Sequence, residues 1–145
     1  MAREFIIPGQ IYNGSGALKL AETEIAGLGR KALIVTDPVM VELGNCAKVQ
    51  ELLQAQGTEY VVYNGITGEP TDQMIRKGLQ MYTENECDFL IGLGGGSPID
   101  SMKAIATLVK NGGDIDSYMG KEIKGPLPPM VAIPTTAGTG SEATQ

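Results

Sequence analysis

From Lys31 onward the chain alternates short apolar runs with stretches of helical spacing, and glycine or proline punctuates most of the changes. Lys31-Ala32-Leu33-Ile34-Val35-Thr36 predicts a strand that stops at Asp37-Pro38, because the residue before a proline avoids helical angles. Pro38 to Leu43 reads as a short helix broken at Gly44-Asn45. Cys46, Val49, Leu52 and Leu53 then mark one apolar helix face, with Gly57 placed to end it. Tyr60-Val61-Val62-Tyr63 predicts a second strand ended by Asn64-Gly65. Glu69-Pro70-Thr71-Asp72 opens another helix, with Ile75, Leu79 and Tyr82 on one side. Nearer the N-terminus, Phe5-Ile6-Ile7 and Ile11-Tyr12 flank Pro8-Gly9-Gln10 and predict an N-terminal hairpin or two extended edge pieces. Asn13-Gly14-Ser15-Gly16 is a turn, and Ala17 to Ile25 has helical spacing that Gly27 and Gly29 end.

The stretch from Phe89 to Asp100 organises the rest. Phe89-Leu90-Ile91 is a short apolar run bounded by glycine and predicts a buried strand. After the glycines, Ser97 is placed as a helix N-cap, Pro98 as the first helical residue, and Asp100 completes a variant capping box. Met102, Ile105, Ala106 and Val109 carry the apolar face of that helix, which Asn111-Gly112-Gly113 closes. Asp114 to Met119 predicts a short helical turn, Lys121 to Pro129 a polar connection, and Met130-Val131-Ala132-Ile133 a last strand. The alternation predicts an α/β fold: a Rossmann-like parallel sheet with helices on both faces, and ligands meeting the carboxyl ends of the strands.

Three predicted strand ends deliver glycine or polar residues to that edge. The Gly94-Gly95-Gly96-Ser97 turn runs into a helix start, where unpaired N–H groups and the positive end of the helix dipole accumulate. Glycines there remove the Cβ atoms that would hold a pyrophosphate away from the amides, although a tight, well-capped turn needs the same residues. Asp37 is placed to accept both hydroxyls of an adenosine ribose, or to cap the Pro38 helix. The Thr135–Ser141 loop offers hydroxyls and amides enough for a phosphate or a nicotinamide amide, or for capping its own helix. The order is not that of the common dinucleotide fold, in which the glycine turn follows the first strand and the acid comes about 20 residues later. Here the acid comes first and no true G-x-G-x-x-G is present.

Composition narrows the partners. The 145 residues are 42% apolar and 19% charged, consistent with one globular domain spanning residues 1–145. A net charge of −6 argues against a nucleic-acid partner but leaves room for a small phosphate ligand held by backbone amides. The sequence contains no histidine, the commonest transition-metal ligand and general base, and its two cysteines, Cys46 and Cys87, form no Cys-x-x-Cys pair. No signal-peptide core or membrane-length apolar run is present, so no membrane partner and a cytoplasmic location are expected. The chain stops at Gln145, where its last residues read as the start of a further helix, and is expected to be the N-terminal part of a longer protein.

Gly94-Gly95-Gly96-Ser97-Pro98-x-Asp100 followed by Lys103-Ala104, and then Ile133-Pro134-Thr135-Thr136-Ala137-Gly138-Thr139-Gly140-Ser141-Glu142, closely resemble the iron-containing (group III) alcohol dehydrogenases. Phe5-x-x-Pro8 followed by Gly14-x-Gly16-x-Leu18 resembles that family as well, and the likeness spans nearly the whole chain. It implies an N-terminal α/β domain that binds NAD(P) and a helical metal domain that is absent from this chain. By resemblance Asp37 meets the adenosine ribose, Gly95, Gly96 and Ser97 contact the pyrophosphate, and Thr135, Thr136, Thr139 and Thr144 line the cofactor. Gly94 and Ser141 complete that set within the turn and the loop, and Asp100 lies toward the nicotinamide, where helix capping explains it equally well. Glu69 departs from the asparagine that many members carry before Pro70-Thr71.

The resemblance further implies hydride transfer between a small alcohol or aldehyde and NAD, with NADP disfavoured by the Asp37 carboxylate. A divalent metal, iron or zinc, would be bound by residues beyond Gln145, so the chain alone is expected to be inactive. A glycerol dehydrogenase-like relative and a non-catalytic stand-alone nucleotide-binding module are the alternatives. Phe5-Ile6-Ile7 as an exposed edge invites pairing with another subunit, and a homo-oligomer is expected.

Overall fold

The computed structural model describes residues 22–111 and 127–135. The expected hairpin near the N-terminus, the first turns of the helix from Ala17 and the polar connection before Leu127 lie outside the described residues. In chain order the elements are α1 (Glu22–Ala26), β1 (Lys31–Val35), α2 (Pro38–Glu42), α3 (Asn45–Ala55), β2 (Glu59–Tyr63), α4 (Asp72–Glu84), β3 (Phe89–Gly94), α5 (Gly96–Asn111) and β4 (Met130–Pro134). The strands form one parallel four-stranded sheet in the order β2-β1-β3-β4. Val35 stands level with Tyr63 on one side and Gly92 on the other, and Gly92 in turn with Ala132.

Alternation along the strands divides the core into two layers. Ala32 and Ile34 of β1 and Phe89, Ile91 and Leu93 of β3 pack against Ile25 of α1, Met40 of α2 and Cys46, Val49, Leu52 and Leu53 of α3. Leu33, Val35 and Leu90 face the other way, onto Ile75 and Tyr82 of α4 and Ile99, Met102, Ile105 and Ala106 of α5. Helices therefore cover both faces, as a parallel sheet requires. All of β3 is buried, and each of its large side chains contributes about 1.5–3 kcal/mol on removal from water.

Gly92 is where the helix comes closest to the sheet. A Cβ placed there would stand 3.1 Å from Met102 Sδ and 3.3 Å from Ile99 Cα, so any side chain at this position would press α5 away from β3 by a few tenths of an ångström. The strand also runs three residues past the Phe89–Ile91 core that the apolar pattern marks, because Gly92 to Gly94 keep pairing with β4. The helices begin largely where their caps place them: Asp37 at α2 and Thr71 at α4 each accept a bond from the amide three residues on. Among the described residues no helix is long and apolar enough to cross a membrane.

Both cysteines are buried thiols. Burial pushes the Cys87 thiol up to about 11, with the Asp88 carboxylate adding to the shift and Lys31 opposing it, and burial raises Cys46 as well. Neither is a reactive thiolate near neutral pH.

At the amino end of the sheet Asp88 ties β3 to β1. Its carboxylate accepts from the Arg30 amide at 2.9 and 2.8 Å and from the Lys31 amide at 2.9 Å, while its own amide donates to the Lys31 carbonyl at 2.9 Å. Burial alone would raise its pKa, but these amides and the Arg30 guanidinium, 3.9 Å away, outweigh that and hold it below the usual carboxylate value. A folded pKa lowered in this way stabilises the protein above about pH 4, and the contribution is lost as acid protonates the folded carboxylate. The Asp88 side chain is 38% exposed, so solvent screens part of the effect. Asp88→Asn is expected to cost about 1 kcal/mol at pH 7. Urea unfolding at pH 7 and again near pH 3 checks this, the difference between variant and parent shrinking in acid.

Candidate functional site

In this sheet the chain steps from β1 outward to β2, then crosses back so that β3 lies on the other side of β1. The loops leaving β1 and β3 consequently diverge, and a crevice opens at the carboxyl ends of the strands, the usual ligand position in such sheets. A cleft of about 510 Å³ occupies that place. Asp37, Pro38, Val39 and Met40 line it from the β1 side, and Ile66, Thr67 and Gly68 from the loop after β2. Gly95, Gly96, Ser97 and Pro98 line it from the start of α5, and Thr135 from the end of β4.

Of the residues singled out in the sequence, Asp37, Gly95, Gly96, Ser97 and Thr135 thus meet in one cleft. Gly94 stands just behind them, buried, with φ +137, and its carbonyl accepts the Thr135 amide at 2.8 Å. Asp100 is exposed in the first turns of α5 and does not line the cleft. Thr136, Thr139, Ser141 and Thr144 lie outside the described residues.

One local expectation is corrected. Helix α5 opens at Gly96, so Ser97 sits inside its first turn rather than flanking it as the N-cap, and Pro98 is not the first helical residue. The glycines, unrestrained by a Cβ, enter the helix before the serine does. The Ser97 carbonyl accepts the Ser101 hydroxyl at 2.7 Å. The earlier start turns the amides of Gly95, Gly96 and Ser97 into the unpaired set at the helix end.

Asp37 is both rim and cap. Its backbone is extended, at φ −120 and ψ 166, and Oδ1 accepts the Met40 amide at 2.8 Å, which satisfies the opening of α2. It is the only ionisable side chain among the described residues that line the cleft. The loop after β2 escaped sequence reading, although Asn64-Gly65 marks the end of that strand and the carboxyl-end rule applies to it equally. Val39 of α2 is 53% exposed beside the cleft, an apolar wall open to solvent.

A divalent metal would need a set of carboxylate, thiolate or imidazole ligands. Among the described residues no group of three or more such side chains is gathered. A dinucleotide fits better: a pyrophosphate needs amides at a helix start free of side-chain obstruction, and the glycine turn provides them.

A family model described as iron-containing alcohol dehydrogenase matches residues 8–145. The NAD-dependent methanol dehydrogenase of Bacillus methanolicus is 37% identical over 97% of this chain and 37% of its own length. The crystal structure of a 1,3-propanediol oxidoreductase superposes with a TM-score of 0.93 at 35% identity, covering 99% of this chain and 38% of that one. The sulfoacetaldehyde reductase of Bifidobacterium kashiwanohense, solved in complex with NAD+, gives a TM-score of 0.80 at 29% identity over 99% of this chain and 39% of that one. The chain spans well under half the length of these relatives.

Capping and charge at Asp37 are separable by mutation. Asp37→Ala removes the cap of α2 and is expected to cost about 1 kcal/mol, whereas Asp37→Asn keeps a capping oxygen and should be nearly neutral. Thermal unfolding of the two variants side by side measures the difference.

Proposed function

We propose, because this chain belongs to the iron-containing alcohol dehydrogenase family, that its cleft binds NAD and that it forms the cofactor-binding part of an NAD-dependent alcohol dehydrogenase. The observation that carries this reading is the order of groups along the sheet edge. From β2 through β1 and β3 to β4 the strands present the Ile66–Gly68 loop, the Asp37 carboxylate, the glycine turn and Thr135. Neighbouring strands lie about 4.8 Å apart, so the edge spans roughly 14 Å. That succession matches adenine, ribose, pyrophosphate and nicotinamide laid across it in turn.

Each group then has a task. Val39 offers apolar surface to the adenine ring, and Asp37 accepts the ribose hydroxyls through its carboxylate. The amides of Gly95, Gly96 and Ser97 donate to the pyrophosphate, helped by the α5 dipole. Thr135, beyond the turn, faces the nicotinamide end. Bound nicotinamide supplies the hydride acceptor for a small alcohol, or the donor for an aldehyde. The relatives whose names specify methanol, 1,3-propanediol and sulfoacetaldehyde support a small substrate. The described residues do not fit a metal; in this reading its ligands lie beyond Gln145.

Two measurements test the reading. Calorimetry is expected to give NAD an affinity at least about tenfold above that of NADP, since a carboxylate at the ribose repels a 2′-phosphate. Gly95→Val should abolish the binding of both by placing a branched side chain at the phosphate approach. Unchanged affinity in the folded variant would remove the pyrophosphate from the turn.

The second measurement concerns turnover. The 145-residue chain, supplied with NAD, short alcohols and ferrous iron or zinc, is expected to form no NADH, because its sequence holds no histidine and its described residues gather no ligand set. Metal-dependent NADH formation, free of contaminating longer enzyme, would overturn the division of labour.

A further inference from the structure

Backbone pairing between β1 and β3 ends at Val35 and Gly92. One residue further on, Thr36 replaces the missing rung with its side chain: its hydroxyl donates to the Leu93 carbonyl at 2.8 Å. Its amide is turned the other way and donates to the Tyr63 carbonyl of β2 at 2.9 Å, and its carbonyl accepts the Ile66 amide at 3.4 Å. Thr36 is fully buried. One residue therefore joins three strands at their carboxyl ends, immediately before Asp37 and level with Leu93.

Gly94 meets the same carboxylate from across the crevice. A Cβ at Gly94 would stand 3.2 Å from Asp37 Oδ2 and 2.9 Å from Pro98 Cγ, and the residue's φ of +137 is one that L side chains rarely adopt. Oδ1 is meanwhile held by the Met40 amide at 2.8 Å. The carboxylate is seated between its own helix and a glycine whose missing side chain makes the seat.

The geometry points to Thr36 and Gly94 as positioning residues for cofactor selectivity: together they set where the Asp37 carboxylate stands relative to the glycine turn. The inference rests on the reading of Asp37 as the ribose carboxylate. Neither residue lines the cleft, so both act through Asp37 and neither needs to touch the nucleotide. The discrimination between a ribose hydroxyl and a ribose phosphate depends steeply on the carboxylate's distance, because a close charge pair loses energy as the separation grows. Just past β1, Thr36 does what valine could do sterically, but its hydroxyl adds the bond that holds the β1 and β3 ends together.

Dissociation constants for NAD and NADP, taken by calorimetry on the protein and four variants, test this. Thr36→Val should narrow the ratio between the two nucleotides roughly tenfold, the scale of one weakened charge contact. Thr36→Ser keeps the hydroxyl and should restore the parental ratio. Gly94→Ala, which crowds Oδ2 directly, should narrow the ratio as Thr36→Val does, and it stands in if the valine variant fails to fold. Asp37→Asn examines the underlying reading: if it leaves the ratio unchanged, Asp37 does not read the ribose. If Asp37→Asn collapses the ratio while folded Thr36→Val or Gly94→Ala weakens both nucleotides in parallel and keeps it, the positioning role is overturned and the residues merely support the fold.

Discussion

Burial of β3 on both faces is the constraint from which the rest follows. A strand with helices above and below has no polar option along its length, and Phe89, Leu90, Ile91 and Leu93 are accordingly apolar and sealed. Its backbone groups find partners in β1 and β4, which fixes β3 at the centre and leaves its carboxyl end as the place where it can first present polar groups. The crossing that puts β3 beside β1, with β2 already on the other side, turns that end into a crevice. A buried central strand and an exposed binding edge are thus two consequences of one pairing.

Much of this was legible in the sequence because the signals were local. The strands from Lys31, Tyr60 and Met130 stand where their apolar runs place them, to within a residue, and β3 begins at Phe89 as its run predicts. Helix α3 follows from the spacing of Cys46, Val49, Leu52 and Leu53, and Asp37-Pro38 stops β1 while opening α2. What escaped was set by contacts distant in sequence. Pairing with β4 carries β3 on through Gly94, and the start of α5 slides forward to Gly96, because glycine accepts strand and helix geometry alike. The end of α4 was equally illegible: Glu86 takes φ 56 there, a conformation that sequence would assign to glycine or asparagine. The Ile66–Gly68 wall carries no motif of its own and becomes part of a site only through the strand order.

The net charge of −6 does not oppose the proposed binding of a pyrophosphate. Net charge acts at a distance and is screened beyond about 8–10 Å. At contact range the pyrophosphate would meet only amides of the glycine turn, and α5 points its positive end there. Asp37, the one carboxylate among the described residues that line the cleft, is displaced along the edge by one strand, where the proposed nucleotide would bring a ribose rather than a phosphate beside it. A lysine or arginine at the turn would add attraction, but it would also reward any phosphate that reached it. Amides fixed by a helix reward a particular placement.

The two ends of the sheet divide stability from chemistry. At the amino end Asp88 satisfies three of its bonds on the backbone of Arg30 and Lys31, so its charge is committed to joining β1 and β3. At the carboxyl end the same two strands are joined by a neutral hydroxyl, that of Thr36, and the nearby charge on Asp37 remains turned toward the cleft. The placement of α5 depends on neither clamp. It comes from the core, where Gly92 admits Met102 and Ile99 against the strand and thereby fixes how far the helix start stands above the sheet. A larger residue at Gly92 would lift the helix from below and move the amides of Gly95 to Ser97 without touching one of them. The glycine turn is therefore only as exact as the packing beneath it, and the binding edge inherits its geometry from a hydrophobic contact inside the fold.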